Sequence, residues 1–494
     1  MKDFITYIRE YSTENFIYTF AEISIGIYKN HLKSNGEEGL HSTTTFLLHI
    51  LLHGFLPKTV PVMLSAWEIP DMAYTSICCA NDYRKKVVAK DEIGCIVDLY
   101  RGYVDDRPGS EYLKDAELAD VFKYLMGIIS EQFRHEALGW VIQNFNRNYH
   151  MLLGSANICR DKIININEIV QKIFGISVDE LLAIELIIMW LCSKHANPLS
   201  APEDLYYKKA GSFITKKNLR KVIEYYSTTY KEVRESKLEK QIFYSKPFVC
   251  TQKSKEYIMV SMYLLQMVIA DGLYWLIRDY YLNNKMGQAF MNAFGEMFED
   301  YFEELMMEYI PGDSWHKIAT QKKKSADYYV EIENVIFLFE LKSGLMRTGG
   351  RQQTPNIEQI DDFYRRNIVE AYEQLKNSAE DYQGTRPIIK IFLLYEFTNN
   401  TQLIMSSIPE IFDNDKECYI MPIQDLEIFL ATYKNERNKF SKVVEVMLSG
   451  SSKETEYSSV LNILNAQQAI NNFHFVEEKD YLKKLIDKLE IEFD

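Results

Sequence analysis

The stretch 324–343 holds the residue types best suited to chemistry, with Asp327, Glu340 and Lys342 on two β-prone runs that flank Glu333-Asn334. A short polar pair between such runs is a hairpin signal. With Glu333 and Asn334 as the turn, Ile332 faces Val335, and counting outward sets Asp327 directly opposite Glu340. Alternation of side chains along a strand puts Lys342 on the same face, two residues from Glu340. Facing carboxylates repel, and burying them is costly unless something compensates. A hard divalent cation does so, because Mg2+ prefers carboxylate and water oxygens. Two acids, a bound Mg2+ or Mn2+ and a lysine form a constellation for activating water.

A Glu-x-Lys triplet alone is a weak signal, since Glu235-Ser236-Lys237 and Glu477-Glu478-Lys479 also occur, in polar helix-like surroundings. Only Glu340-Leu341-Lys342 ends an apolar strand. Val335 to Phe339 is apolar on both faces, which suits a buried central strand. The competing reading is an edge hairpin with a solvated Glu/Lys pair.

On these residues the chain resembles the PD-(D/E)XK nuclease superfamily, the restriction-endonuclease-like fold, over roughly 285–435. In that family an acid on a preceding helix, often within Gly-x-x-Phe-Glu-x-Tyr, joins the Asp and Glu-x-Lys; Gly295-Glu296-Met297-Phe298-Glu299-Asp300-Tyr301 matches it. At about 100° per residue, Glu299 borders the apolar stripe of Phe294, Phe298, Phe302, Leu305 and Tyr309, while Glu296 and Asp300 lie further round. Many members carry a polar residue on the helix after the motif strands, and Gln374 stands there, beside the stripe of Ile368, Tyr372, Leu375 and Ala379. A helix-surface glutamine is the alternative reading. The chain departs from the pattern in having Ala326, not Pro, before Asp327, and it lacks the Gln-x-x-x-Tyr spacing of RecB-like members because Ser378 follows Gln374.

The resemblance implies that Asp327 and Glu340, joined by Glu299 and the Leu341 carbonyl, hold Mg2+ or Mn2+. Lys342 would orient or help deprotonate the attacking water, and Gln374 would complete the catalytic set. The implied activity is phosphodiester hydrolysis by a DNA endonuclease acting on double-stranded DNA. The alternative is a nucleic-acid-binding or scaffolding protein that keeps the nuclease fold without catalysis. A free-standing nuclease with a large helical region also suggests antiviral defence, by fold-level analogy alone.

The flanks fit a phosphate partner. Between Lys317 and Arg351 there are seven Lys or Arg against four acids. Lys322, Lys323 and Lys324 could sit beside the backbone or simply solubilise a loop. Arg347 and Arg351, on a Gly-containing loop, could clamp nucleic acid. Residues 208–255 carry thirteen Lys or Arg against four Glu, interleaved with aromatics. Two readings stand: Lys216, Lys217, Arg220 and Lys221 track phosphates while rings stack on bases, or the cations form a solvated face and the tyrosines pack inward.

These elements belong to a multidomain chain of 494 residues. The expected order is an all-α recognition or regulatory region (1–203), a basic, aromatic-rich segment and buried helix (204–284), an α/β domain with a mixed central sheet flanked by helices (285–435), and a helical tail (436–494). A helix start is marked at Ser177, with Glu180 at capping-box spacing. Tyr257 to Ile277 is apolar but interrupted by Gln266 and Asp271, so it reads as a helix buried in protein, with no membrane role. Seven cysteines without a CxxC pair suit a reducing cytoplasm. The net charge of -14 excludes indiscriminate coating of nucleic acid and confines any such partner to a local cleft. No Walker A loop, dinucleotide fingerprint or Gly-x-Ser-x-Gly elbow occurs. His49 and His53 have ligand spacing without a third ligand, and His135-Glu136 lacks the second zincin histidine. A homo-oligomer or a partner protein is compatible with all of this.

Overall fold

A computed structural model of the chain describes residues 3–34, 46–47, 63–105, 117–133, 139–153, 165–202, 214–319, 324–347, 350, 355–395, 401–449, 459–469, 475 and 477–489. It is mostly helical, with an α-rich region followed by an α/β region. The helices that matter below are α1 (Leu118–Phe133), α2 (Gly139–Leu153), α3 (Val178–Lys194), α4 (Lys216–Tyr225), α5 (Met262–Asn283), α6 (Gly287–Tyr309), α7 (Glu370–Asp381) and α8 (Ile423–Asn435).

The α-rich region follows its sequence signals. At the start of α3 the Ser177 hydroxyl accepts the Glu180 N–H at 3.3 Å, while the Glu180 carboxylate accepts the Ser177 N–H at 2.8 Å. That reciprocal cap satisfies two of the donors a helix start leaves open. Helix α5 is buried on nearly every side, as a core helix should be. No helix among the described residues is long and apolar enough to cross a membrane.

Two departures concern strands. The N-terminal region is not purely helical, since Phe46–Leu47 pairs with Met63–Leu64. The basic segment contains a three-stranded sheet in which Ser227–Thr229 runs parallel to Phe248–Cys250, itself antiparallel to Tyr257–Met259. These strands are only two or three residues long, too short for side-chain alternation to reveal them. The expected buried helix therefore begins at Met262, after a strand, and not at Tyr257.

The α/β region is built on one mixed sheet: β1 (Trp315–Lys317), β2 (Tyr328–Ile332), β3 (Val335–Lys342), β4 (Ile388–Leu394) and β5 (Cys418–Pro422), in spatial order β5-β4-β3-β2-β1. Strands β1, β2 and β3 are antiparallel neighbours, while β3, β4 and β5 run parallel. Strand β3 lies at the centre, and Val335 to Leu341 are all buried. One face, with Phe337, Phe339 and Leu341, joins the core that contains α6 and α8 residues. The other face, with Ile336 and Leu338, packs on Ile368, Ala371 and Leu375 beneath α7. Helices therefore cover both faces, which is why β3 reads as a continuous apolar run.

The hairpin has the expected register, Ile332 opposite Val335 and Tyr328 opposite Phe339. Its two turn residues both lie in the left-handed region, Glu333 at φ 51° and Asn334 at φ 65°. That is the requirement of a two-residue turn that matches strand twist, and asparagine followed by glycine meets it best. Exchanging the pair for Asn-Gly should raise stability by about 1 kcal/mol, a gain reduced by loss of the 2.8 Å bond from the Ser441 hydroxyl to Glu333. The measurement is the midpoint of thermal unfolding; an unchanged or lower midpoint would contradict it.

Candidate active site

The site forms where β2 and β3 part. Asp327 immediately precedes β2; its N–H donates to the Phe339 carbonyl at 2.9 Å, and its Oδ2 accepts the Leu341 N–H at 2.8 Å. Glu340, 1% exposed, accepts a hydrogen bond at Oε1 from Lys342 Nζ at 2.7 Å. The Lys342 carbonyl is pinned in turn by the Tyr395 N–H at 3.0 Å. The structure thus brings together Asp327, Glu340 and Lys342 on the end of a central strand.

Helix α7 fixes the approach to Asp327. Gln374 Nε2 donates to the Ser325 carbonyl at 3.2 Å, Asn377 Nδ2 to the Lys324 carbonyl at 2.9 Å, and the Ala326 N–H donates to Ser378 Oγ at 2.8 Å. Gln374 is therefore next to the site, holding backbone. No motif in the sequence singles out Asn377 and Ser378, although residues three and four beyond Gln374 on a helix share its face.

Electrostatics follow from this packing. Burial pushes the Asp327 carboxyl up, opposed by the Leu341 N–H and Lys342, while the Glu299 charge adds to the rise. Burial raises Glu340 further, to about 7, and the Asp327 charge reinforces it; Lys342 and Gln374 pull the other way. The second oxygen of Glu340, Oε2, is buried without any hydrogen-bond partner. Unpaired buried carboxylate oxygens are expensive, and they concentrate at functional sites.

Glu299 approaches from the other side. In α6, Phe298 and Tyr301 are buried and Gly295 passes close to the turn after β3, where an added Cβ would lie 3.4 Å from Ser343 Oγ. Glu299 is ion-paired with Lys317 of β1, whose ammonium stands 5.7 Å above the Tyr328 ring. The Tyr328 hydroxyl donates to Glu303 at 2.7 Å. Alternation places Lys317 and Tyr328 on the α6 face and Glu340 and Lys342 on the opposite one. Among the described residues no three His, Cys, Asp or Glu side chains gather closely enough to hold one ion. Glu299 thus acts on Asp327 through its charge while its carboxylate is engaged by Lys317. In the sequence Lys317 counts only as a flanking cation, because Trp-His-Lys is too short and polar to announce a strand.

The nucleic-acid candidates divide. Lys324 and Arg347 are exposed on the two segments that border Asp327 and Lys342. Lys322, Lys323 and Arg351 lie outside the described residues, as do His49, His53 and His135-Glu136. Lys217, Arg220 and Lys221 are exposed on α4, with Lys216 half-buried at its start. That helix packs on α3 and on Ile166–Phe174, away from the elements that build the site. Tyr226, Tyr230, Phe243 and Phe248 are buried, so these rings pack inward and are not available to stack on bases.

No protein-family model, curated protein or solved structure matches the chain.

Proposed function

We propose that the chain is a metal-dependent nuclease of the PD-(D/E)XK type, hydrolysing phosphodiester bonds in double-stranded DNA. The observation that carries this reading is the meeting of Asp327, Glu340 and Lys342 at the end of β3, with one Glu340 oxygen buried and unpartnered. A mixed sheet with helices on both faces supports the fold that the motif implies.

The donor set suits a hard cation. Two carboxylates with raised proton affinity and the adjoining Leu341 carbonyl would hold Mg2+ or Mn2+, and Glu340 Oε2 supplies the open oxygen. When bound, the ion lowers the pKa of water and stabilises charge on a phosphate. Glu340 holds the Lys342 ammonium in place, and that fixed cation orients the attacking water and faces developing negative charge. Gln374, Asn377 and Ser378 keep the backbone before Asp327 from moving. Glu299, engaged by Lys317, acts on Asp327 through its charge, and Lys324 and Arg347 offer cations to the DNA backbone.

The test is incubation of purified chain with double- and single-stranded DNA and with RNA, in Mg2+ or Mn2+. Double-stranded DNA should be cut, EDTA should stop the reaction, and Asp327→Asn should remove it. Undiminished cleavage by folded Asp327→Asn would sink the proposal, and salt-dependent binding without cleavage would favour the scaffolding alternative.

A further inference from the structure

Away from the carboxylates, a pocket of about 190 Å3 opens between α5, the 225–246 segment and the loop that follows β3. Its volume is on the scale of a cavity that admits one or two small rings. Tyr225, Tyr244 and Trp275 give it aromatic walls, and Met267, Val268 and Leu276 an apolar lining. Polar groups converge on the same space. Gln241 lines it, is 4% exposed, and has an Nε2 that is buried without a hydrogen-bond partner. Asp271 and Asp279 contribute carboxylates, Asp279 also pairing with Arg278 at 3.4 Å. Lys246 also lines the pocket, its ammonium donating to the Tyr225 carbonyl and lying 4.6 Å from the Tyr225 ring.

Each feature specifies part of an occupant. Aromatic walls take a flat ring. The orphaned Gln241 N–H requires an acceptor, since an unpaired buried donor is costly. Two carboxylates against one lining lysine favour N–H or O–H donors over phosphate. A flat heterocycle with a ring acceptor, an exocyclic amino group and hydroxyls satisfies all three demands. We propose that this pocket binds a nucleobase as the free base or nucleoside, without phosphate.

The pocket does not depend on the nuclease reading, because none of its residues belongs to the Asp327 site. Met346 does line it, four residues after Lys342. An occupant would therefore touch the loop leaving the catalytic strand, and any effect on cleavage rests on the nuclease reading.

The experiment is titration calorimetry of the full chain with adenosine, guanosine, cytidine and uridine. At least one should bind, and its 5′-monophosphate should bind at least tenfold more weakly. Gln241→Leu, which keeps the shape of the pocket, should weaken binding by about tenfold. Tyr244→Leu serves as a second variant, and both are checked for native melting. Asp327→Asn should bind the nucleoside as the parent does, so loss of cleavage and loss of binding separate. Absence of heat with all four nucleosides, or equal affinity in folded Gln241→Leu and Tyr244→Leu, overturns the proposal.

Discussion

Glu340→Gln should lower metal-dependent cleavage by at least two to three orders of magnitude and, in the metal-free chain, raise thermal stability. Both effects have one origin. Glu340 is buried beside Asp327, and its carboxyl titrates near 7 when folded, against 4.5 as the ordinary value. A raised folded pKa means the native state holds the proton more tightly than the unfolded state. The contribution of this group is therefore complete below pH 4.5 and declines until pH passes about 7. Glutamine stays neutral and avoids that loss. The gain at pH 8 should be roughly 1–3 kcal/mol, reduced by the weakened bond to Lys342. The pH dependence of the unfolding midpoint between 4.5 and 7 should flatten in the variant. Mg2+ provides an independent check: it should raise the midpoint of the parent, because a ligand of the native state stabilises it, and raise that of Glu340→Gln far less. A variant that melts earlier than the parent at pH 8, or gains equally from Mg2+, would show that Glu340 is a structural partner of Lys342 only.

The local logic of the site is legible because it is written in period two. Counting from Glu333-Asn334 pairs Asp327 with Glu340 and sets Lys342 beside them, and the all-apolar run Val335 to Phe339 marks the central strand. The stripe of Phe294, Phe298 and Phe302 gives the phase of α6 and so the side on which Glu299 lies. What escapes is set by contacts that no periodicity encodes. Lys317 stands on a three-residue edge strand, and its pairing with Glu299 depends on how α6 crosses the sheet. The basic segment admits both an interface and a solvated-face reading because its charges and rings alternate in sequence. In space they largely separate, with Lys217, Arg220 and Lys221 outside and Tyr226, Tyr230, Phe243 and Phe248 inside, while Lys240 is buried against Glu131. Burial of aromatic area outweighs any preference to display it.

Arg147 is the least legible residue of all, and Arg147→Met should cost about 3–5 kcal/mol of stability. Nothing in the sequence around α2 marks an arginine as buried. Yet its side chain is 1% exposed, and its guanidinium grips Glu427 of α8 through two bonds of 2.7 and 2.8 Å, across 280 residues of sequence. Tyr301 of α6 donates to the same carboxylate at 2.8 Å, two residues from Glu299. A buried pair contributes little beyond what hydrophobic replacements would, but removing one partner strands the other charge. The double variant Arg147→Met, Glu427→Gln should therefore recover at least about 2 kcal/mol of the loss, since the neutral amide that replaces the carboxylate can still accept from Tyr301. Denaturant unfolding of the four members of that cycle measures the coupling. The same geometry bears on how the chain divides. The sequence pattern changes at residue 285, but a fragment spanning 285–435 would lack the guanidinium that pairs with Glu427 and would leave the Tyr395 hydroxyl without Asn148. Such a fragment should not fold to an active unit by itself. Full cleavage by that fragment, or a single Arg147→Met variant as stable as the parent, would show that the α-rich region only adjoins the catalytic sheet. The predicted outcome makes α2 a structural part of it, because the helix that carries Glu299 is seated on the Arg147 and Glu427 pair.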